Sequence, residues 1–420
     1  MLLRFSFENF RSFKNKTTLK MLATTQRTLN DVLIRKGKHR ILPSAVLYGA
    51  NASGKSSVIL AMQTFRTIVL SGSISNDKSV KQYLELYPFL HDDNTDPIIF
   101  EIEFIDGGHR FVYGFTVSVE PLKRNGKRCI LEEHLDLFIS KTPIKLFHRS
   151  KDNITIGRDK YPLKLLEYKD DSELAKLVNT MVNNIDEEVL FLTSGFKSTI
   201  SKTVSDRIIG YISEKVHPIM NLSDELHNTD NTAVINDKFY EAIIKAADFG
   251  PQQIKWRLAE KEENKYSKRL VSSYRGVNIR SEFIESVGTI RLLHFADKLK
   301  QCFSEGSVLL IDEMDNAIHP EIIKGIIALF SNPEANKNGA QIVFTSHNPV
   351  YMDHDLLRRD QILFTEKDLD TYISTIHSLG DFGSVSVRND QSLMRNYFKG
   401  RYGRLPYIDF ETVLALGLED

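Results

Sequence analysis

The chain is poor in the features that mark several large protein classes. Its 420 residues include only 2 cysteines, Cys129 and Cys302, far apart and in no ligand spacing. That argues against a disulfide framework, a metal module and a redox pair. Neither sign of charge is in excess, with Lys+Arg and Asp+Glu at 55 each. Nothing global therefore marks a nucleic-acid binder, although a local basic face would leave the total unchanged. No apolar run approaches the roughly 18 residues of a membrane span. The first residues, Met1 to Glu8, alternate like a strand and not like a signal peptide. No internal repeat, low-complexity stretch or sustained heptad seam is present. The expectation is a soluble, reduced, cytoplasmic protein with no membrane partner. Its hydrophobic content of 41% is ample for a core, and its length allows two or three domains.

What is present centres on residues 45–56. An apolar strand, Ala45-Val46-Leu47-Tyr48, runs into Gly49-Ala50-Asn51-Ala52-Ser53-Gly54-Lys55-Ser56, with helix-forming residues behind it. The spacing is that of a phosphate loop. Gly49 and Gly54 permit a tight backbone whose N–H groups, with those of Asn51, Ala52 and Ser53, turn onto phosphate oxygens. Lys55 reaches the β- and γ-phosphates, and the Ser56 hydroxyl ligates Mg²⁺. The helix through Ser57 points its positive end at the same anion.

Two further apolar strands end in polar clusters. Ser307 to Ile311 leads into Asp312-Glu313, and Gln341 to Thr345 leads into Ser346-His347. Near-continuous apolar runs suit parallel strands buried on both faces, and a helix over 320–330 lies between them. Ligands of such sheets bind at the carboxyl ends of the strands. Asp312 is placed to hold Mg²⁺ opposite Ser56. Glu313 is the candidate general base for an attacking water. His347 is placed to contact the γ-phosphate or position that water. Ser286-Val287-Gly288-Thr289 opens an amphipathic helix; alone, it reads as an ordinary N-cap by Ser286.

The other segments sort by pattern. Residues 1–20 read as two short strands, and 84–160 as strand-rich, with Asp106-Gly107-Gly108 and Arg124-Asn125-Gly126-Lys127 as hairpin tips. Residues 162–247 read as helical, from Leu174, Leu177, Val178, Met181 and Val182 and again from Val204, Ile208, Ile209 and Ile212. Residues 260–268 form a charged loop or hairpin tip. The basic cluster singled out is Lys123, Arg124, Lys127 and Arg128, for which solvation is the simpler reading. In the tail, Arg395, Lys399, Arg401 and Arg404 interleave with Tyr397, Phe398, Tyr402 and Tyr407. Packing of those aromatics on the body is favoured over docking.

Taken together, these residues resemble the ATP-binding-cassette clade of P-loop ATPases, in its SMC, RecF and overcoming-lysogenization-defect branch. The opening Asn9-Phe10-Arg11-Ser12-Phe13, the phosphate loop, the strand-rich lobe, the helical insertion and the Asp-Glu and histidine strand ends fall in the same order. More narrowly, the chain is similar to RloA-like AAA-type ATPases. The markers are Glu285 to Thr289, Asp312-Glu313-Met314-Asp315 with His319-Pro320, Thr345 to Asn348, and Gly400 to Pro406. The resemblance implies an α/β head, a mixed sheet with central parallel strands and an antiparallel β lobe, with an inserted helical subdomain. Residues 1–161 and 248–420 would form the head and 162–247 the insertion. It also implies a homodimer, or a higher assembly of dimers, around two ATP. Ser286 and Gly288 would reach the γ-phosphate held by the other subunit, and Asp315 would lie in the inter-subunit loop. The signature departs from the transporter form. No glutamine-loop residue is evident, Gln82 lacking the usual context, and no long coiled coil is present.

The function that follows from the resemblance is an Mg²⁺-dependent ATPase of a bacterial antiphage defence system. It would hold a separately encoded effector, a Toprim-type or other nuclease, until a phage protein triggers release. No nuclease cluster is visible in this chain. The alternatives are a RecF-like DNA-binding repair ATPase and a scaffold with structural nucleotide; Glu313 weighs against the latter.

Overall fold

The computed structural model describes residues 1–75, 86–90, 96–118, 128–139, 141–151, 153–157, 185–220, 253–262, 265–382 and 392–403, with isolated positions between 176 and 184 and at 245. Two sheets dominate. Strand β1 (Leu2–Glu8) pairs antiparallel with β2 (Thr17–Lys20). A small hairpin, β3 (Ile34–Lys36) and β4 (His39–Ile41), precedes β5 (Ser44–Tyr48) and the 17-residue helix α1 (Lys55–Ser71). A meander follows: β6 (Ile98–Asp106), β7 (His109–Ser118), β8 (Cys129–Phe138), β9 (Pro143–Ser150) and β10 (Asn153–Ile156). These strands complete a seven-stranded antiparallel sheet in the order β10-β9-β8-β7-β6-β1-β2.

Helix α2 (Lys202–Lys215) leads directly into β11 (Val216–Ile219). A three-stranded antiparallel sheet is built from β12 (Gln253–Glu262), β13 (Lys265–Tyr274) and β14 (Val277–Arg280). Then come α3 (Val287–Glu305), β15 (Val308–Ile311), α4 (Pro320–Ser331), β16 (Gln341–Thr345), β17 (Ile362–Lys367), β18 (Ser374–Ser378) and the short α5 (Leu393–Phe398). The second sheet has the order β11-β15-β16-β5-β17-β18. All its neighbours are parallel except β17 and β18.

The period of two along a strand explains how this sheet is packed. Ala45, Leu47, Leu310 and Val343 face α1, α2 and the antiparallel sheet in one core. Val46, Tyr48, Ile311 and Phe344 face α3 and α4 in the other. With both faces covered, the strands read as continuous apolar runs. Helix α1 buries Val58, Ile59, Met62, Phe65 and Val69 at three- and four-residue spacing. Phe65 stacks on Phe115 at 5.4 Å and meets Phe5 edge-on at 5.6 Å, geometries worth about 0.5–1.5 kcal/mol per pair beyond burial.

Within 162–247, expected as an inserted helical subdomain, residues 202–219 pack with the two sheets described above. Helix α2 packs in the α1 core through Val204, Ile208 and Ile212, and β11 pairs with β15. Most of the remainder of that span lies outside the described residues, as do the hairpin tip 124–127, Gln82 and residues 404–406 of the tail. The described part of the tail is packed. Tyr402 is buried against Phe364 and Phe382, and Tyr397 stacks on Phe364, while Phe398 is exposed. Both cysteines are free. No described helix is long and apolar enough to cross a membrane.

Candidate functional site

The carboxyl ends of β5, β15, β16 and β17 converge on the loop 49–54. Gly49 has φ 153°, and a Cβ there would lie 2.4 Å from the Thr365 carbonyl oxygen and 2.5 Å from Ser53 Oγ. Gly54, at φ 113°, lies against the Phe13 ring, where a Cβ would approach to 2.8 Å. Both positions therefore require glycine. Ala52 also takes a left-handed φ of 61°. Ser53 Oγ meets Thr365 Oγ1 at 2.6 Å, tying the loop to β17. Asn51 and Ala52 are exposed at the tip, while Ser56 is half-buried and Ser57 buried.

The loop is arranged for an anion. No side chain caps the N-terminus of α1, so its first N–H groups keep their donors for a ligand. Lys55 is buried, and its Nζ donates to the carbonyls of Gly49 and Ala50, each at 2.9 Å. Burial lowers its pKa, while the charges of Asp312 and Glu313 oppose that fall. The ammonium thus lies within the field of both carboxylates. An ammonium in a cradle that a Cβ would fill, beside a carboxylate and a hydroxyl, fits a nucleotide phosphate with Mg²⁺. Among the described residues there is no cluster of three or more His, Cys, Asp or Glu that would hold a metal by itself. Magnesium at such a site would rest on Ser56, Asp312, water and phosphate.

Thr345 organises the two acidic residues. Its Oγ1 donates to Asp312 Oδ1 at 2.6 Å and accepts from the Glu313 backbone N–H at 2.8 Å. Glu313 has φ 47°, a left-handed conformation that is unfavourable for a non-glycine residue. The bent backbone exposes the Glu313 side chain, whereas Asp312 is half-buried. His347 is exposed one residue beyond Ser346. Partial desolvation, then the charge of Lys55, lowers its pKa against the pull of Glu313, Asp315 and Asp312. The shift favours the neutral imidazole, and the ring senses all four of these charges.

Other expected residues sit differently. Asp315 Oδ2 accepts from Ser346 Oγ at 2.7 Å, a bond within the chain. Its charge also raises the pKa of buried Tyr48 and of Tyr351, after burial itself. Ser286 caps α3, accepting from the Thr289 N–H at 3.0 Å. Gly288 presses on the loop after Asp315, where a Cβ would stand 2.0 Å from the Ala317 carbonyl oxygen. Arg291 Nη1 donates to the Asn316 carbonyl at 2.8 Å in the same contact. The structure therefore joins the signature-like segment to the Asp315 loop. Lys55, Asp312, Glu313 and His347 come together at the phosphate loop. Thr345, Thr365 and Phe13 were not anticipated as supports; the one available signal was a threonine closing an apolar strand just before Ser-His.

A glycine-bounded loop on an inner strand of a parallel sheet, flanked by acidic and histidine-bearing strand ends, has the arrangement of a P-loop nucleotide-binding domain. The chain belongs to the family described as "AAA domain, putative AbiEii toxin, Type IV TA system", whose model matches residues 44–353. Similar solved structures include the SMC head domain from Thermotoga maritima, at 13% identity and a TM-score of 0.36, covering 90% of this chain and 98% of that one. Another is the Pyrococcus furiosus Smc head domain with an extended coiled coil, bound to the C-terminal domain of ScpA. It has 13% identity and a TM-score of 0.40, covering 90% of this chain and 96% of that one. No curated protein matches the chain.

Proposed function

We propose that this protein binds and hydrolyses ATP as the ATPase subunit of a cytoplasmic bacterial antiphage defence system. The observation that carries the proposal is the convergence of Lys55, Asp312, Glu313 and His347 at one end of the parallel sheet. Lys55 and the N–H groups of residues 49–57 bind and orient the phosphates. Ser56 and Asp312 would hold Mg²⁺, which when bound would offset negative charge on the phosphates. Glu313, exposed and fixed at its backbone by Thr345, accepts the proton of the attacking water. Neutral His347 holds that water or the terminal phosphate by a hydrogen bond.

The working unit in this reading is a homodimer, or a larger assembly of dimers, closed over two ATP. Ser286 and Gly288 meet the partner's nucleotide, and Asp315 lies in the joint. Phe283, Ile284 and Val287 are exposed apolar residues flanking that segment, which supports a covered face there. The toxin–antitoxin description of the family supports a defence role with a separately encoded effector, read as a nuclease and released on a phage signal. The test is to purify Glu313→Gln protein from its native host with ATP and identify what accompanies it. A stoichiometric nuclease, lost in Lys55→Ala, supports the reading. Self-association with DNA alone would favour a RecF-like repair ATPase.

A further inference from the structure

From Asn9 to Asn76 the only carboxylate in the chain is Asp31. Basic residues of this stretch meet on the β3–β4 hairpin. Its register sets Arg35 opposite Arg40 and Lys36 opposite His39. Like charges in direct cross-strand pairs destabilise a sheet. Charged edges do protect an isolated hairpin from mispairing, but either sign would serve, and residues 34–41 hold no acid. Arg27, Arg35, Lys36 and Lys38 are exposed and form no ion pair among the described residues.

The charges line two separate concavities. One, of about 470 Å³, is walled by Thr25, Arg27, Asn30, Arg35 and Arg40. Arg40 Nη2 is held by the Gln26 carbonyl at 3.1 Å and by Asn30 Oδ1 at 2.8 Å, while its buried Nε has no partner. Arg358, ion-paired to Asp360 in the interior, donates to that same Gln26 carbonyl at 3.2 Å and stiffens this wall. The second, of about 220 Å³, is lined by Lys36, Lys38, His39 and Arg110 beside Phe138 and Ile139. Arg110 is ion-paired to Glu103 at 2.7 Å, so the free charge here is that of Lys36 and Lys38. Burial, then Arg110 and Lys38, lowers the pKa of His39 against the pull of Glu103.

We infer that the β3–β4 hairpin and its flanking arginines form a binding surface for the sugar-phosphate backbone of a nucleic acid. A single small anion would occupy one concavity and leave the charges of the other unmatched. Two basic concavities sharing one hairpin suit a ligand whose negative charges repeat along its length. The hairpin feeds the amino end of β5, while the phosphate loop leaves the carboxyl end. The surface is thus separate from the nucleotide site, and the inference does not depend on ATP hydrolysis.

The test measures fluorescence anisotropy of labelled duplex DNA, single-stranded DNA and single-stranded RNA with the full chain over a series of salt concentrations. The variants are Arg35→Ala/Lys36→Ala/Lys38→Ala and, at the open tip, Lys38→Glu alone. The expected result is binding of at least one oligonucleotide that weakens tenfold or more in the triple variant at 100 mM salt. The log–log salt slope falls by about two to three, near one per lost phosphate contact. Lys38→Glu weakens binding about fivefold or more, and both variants keep the basal ATPase rate of the unmodified protein. Binding unchanged in strength and slope would overturn the inference. So would wild-type protein that binds tripolyphosphate but no oligonucleotide.

Discussion

Replacing Thr345 by valine keeps the shape of a fully buried side chain and removes one oxygen. That oxygen makes two bonds, at 2.6 Å to Asp312 Oδ1 and at 2.8 Å from the Glu313 N–H. Loss of a hydrogen bond to a charged group costs about 1.5–3 kcal/mol, and an orphaned donor about 1–3 kcal/mol. Asp312 is half-buried, so water recovers part of the first. The second bears on Glu313, whose left-handed backbone costs about 1–2 kcal/mol and is held there in part by this bond. A net loss of stability of about 1–3 kcal/mol is expected in urea unfolding. Turnover should fall about 10- to 100-fold, since each tenfold corresponds to about 1.4 kcal/mol of barrier. Thr345→Ser, which keeps the oxygen, should recover most of the rate. A valine variant with wild-type turnover would refute the role given to Thr345 in placing the base.

Other outcomes follow from single contacts. Gly49→Ala drives a Cβ to 2.4 Å from the Thr365 carbonyl oxygen. It should weaken binding of a fluorescent ATP analogue more than tenfold, with a stability loss of about 1–3 kcal/mol. Gly210→Ala, inside α2 with open space around it, should instead stabilise by about 0.5–1 kcal/mol. His217 on β11 has its pKa lowered from 6.5 to about 4, first by burial and then by Lys298 and Arg66. The unfolded chain therefore binds more protons than the folded one between those values, and stability is lost as pH falls through 6.5 toward 4. At about 1.4 kcal/mol per unit the loss reaches about 3 kcal/mol at most. Unfolding of His217→Gln across that range should lack this component.

The sequence made the phosphate loop legible because phosphate geometry fixes its spacing. It made β15 and β16 legible because strands buried on both faces read as unbroken apolar runs. Thr345 was opaque because its bond to Asp312 spans 33 positions and exists only in the β15–β16 register. Helix α2 shows the same limit. Val204, Ile208 and Ile212 mark an amphipathic helix, but periodicity does not say which body covers its apolar face. Strand β11 was hidden by its length of four and by Pro218, which an edge position tolerates. The β3–β4 charges are masked by the balanced total, and along the chain residues 35–40 hold four Lys or Arg, no more than 123–128; only the cross-strand register sets them side by side.

The central claim is that Glu313 supplies the base at a site whose phosphate grip is Lys55. Single-turnover hydrolysis of ATP by Glu313→Gln, with ATP binding measured on the same sample, tests it most directly. The account predicts binding within about threefold of wild type and hydrolysis reduced about 10²- to 10⁴-fold, the usual contribution of a positioned base. Hydrolysis at the wild-type rate by the glutamine variant would contradict it.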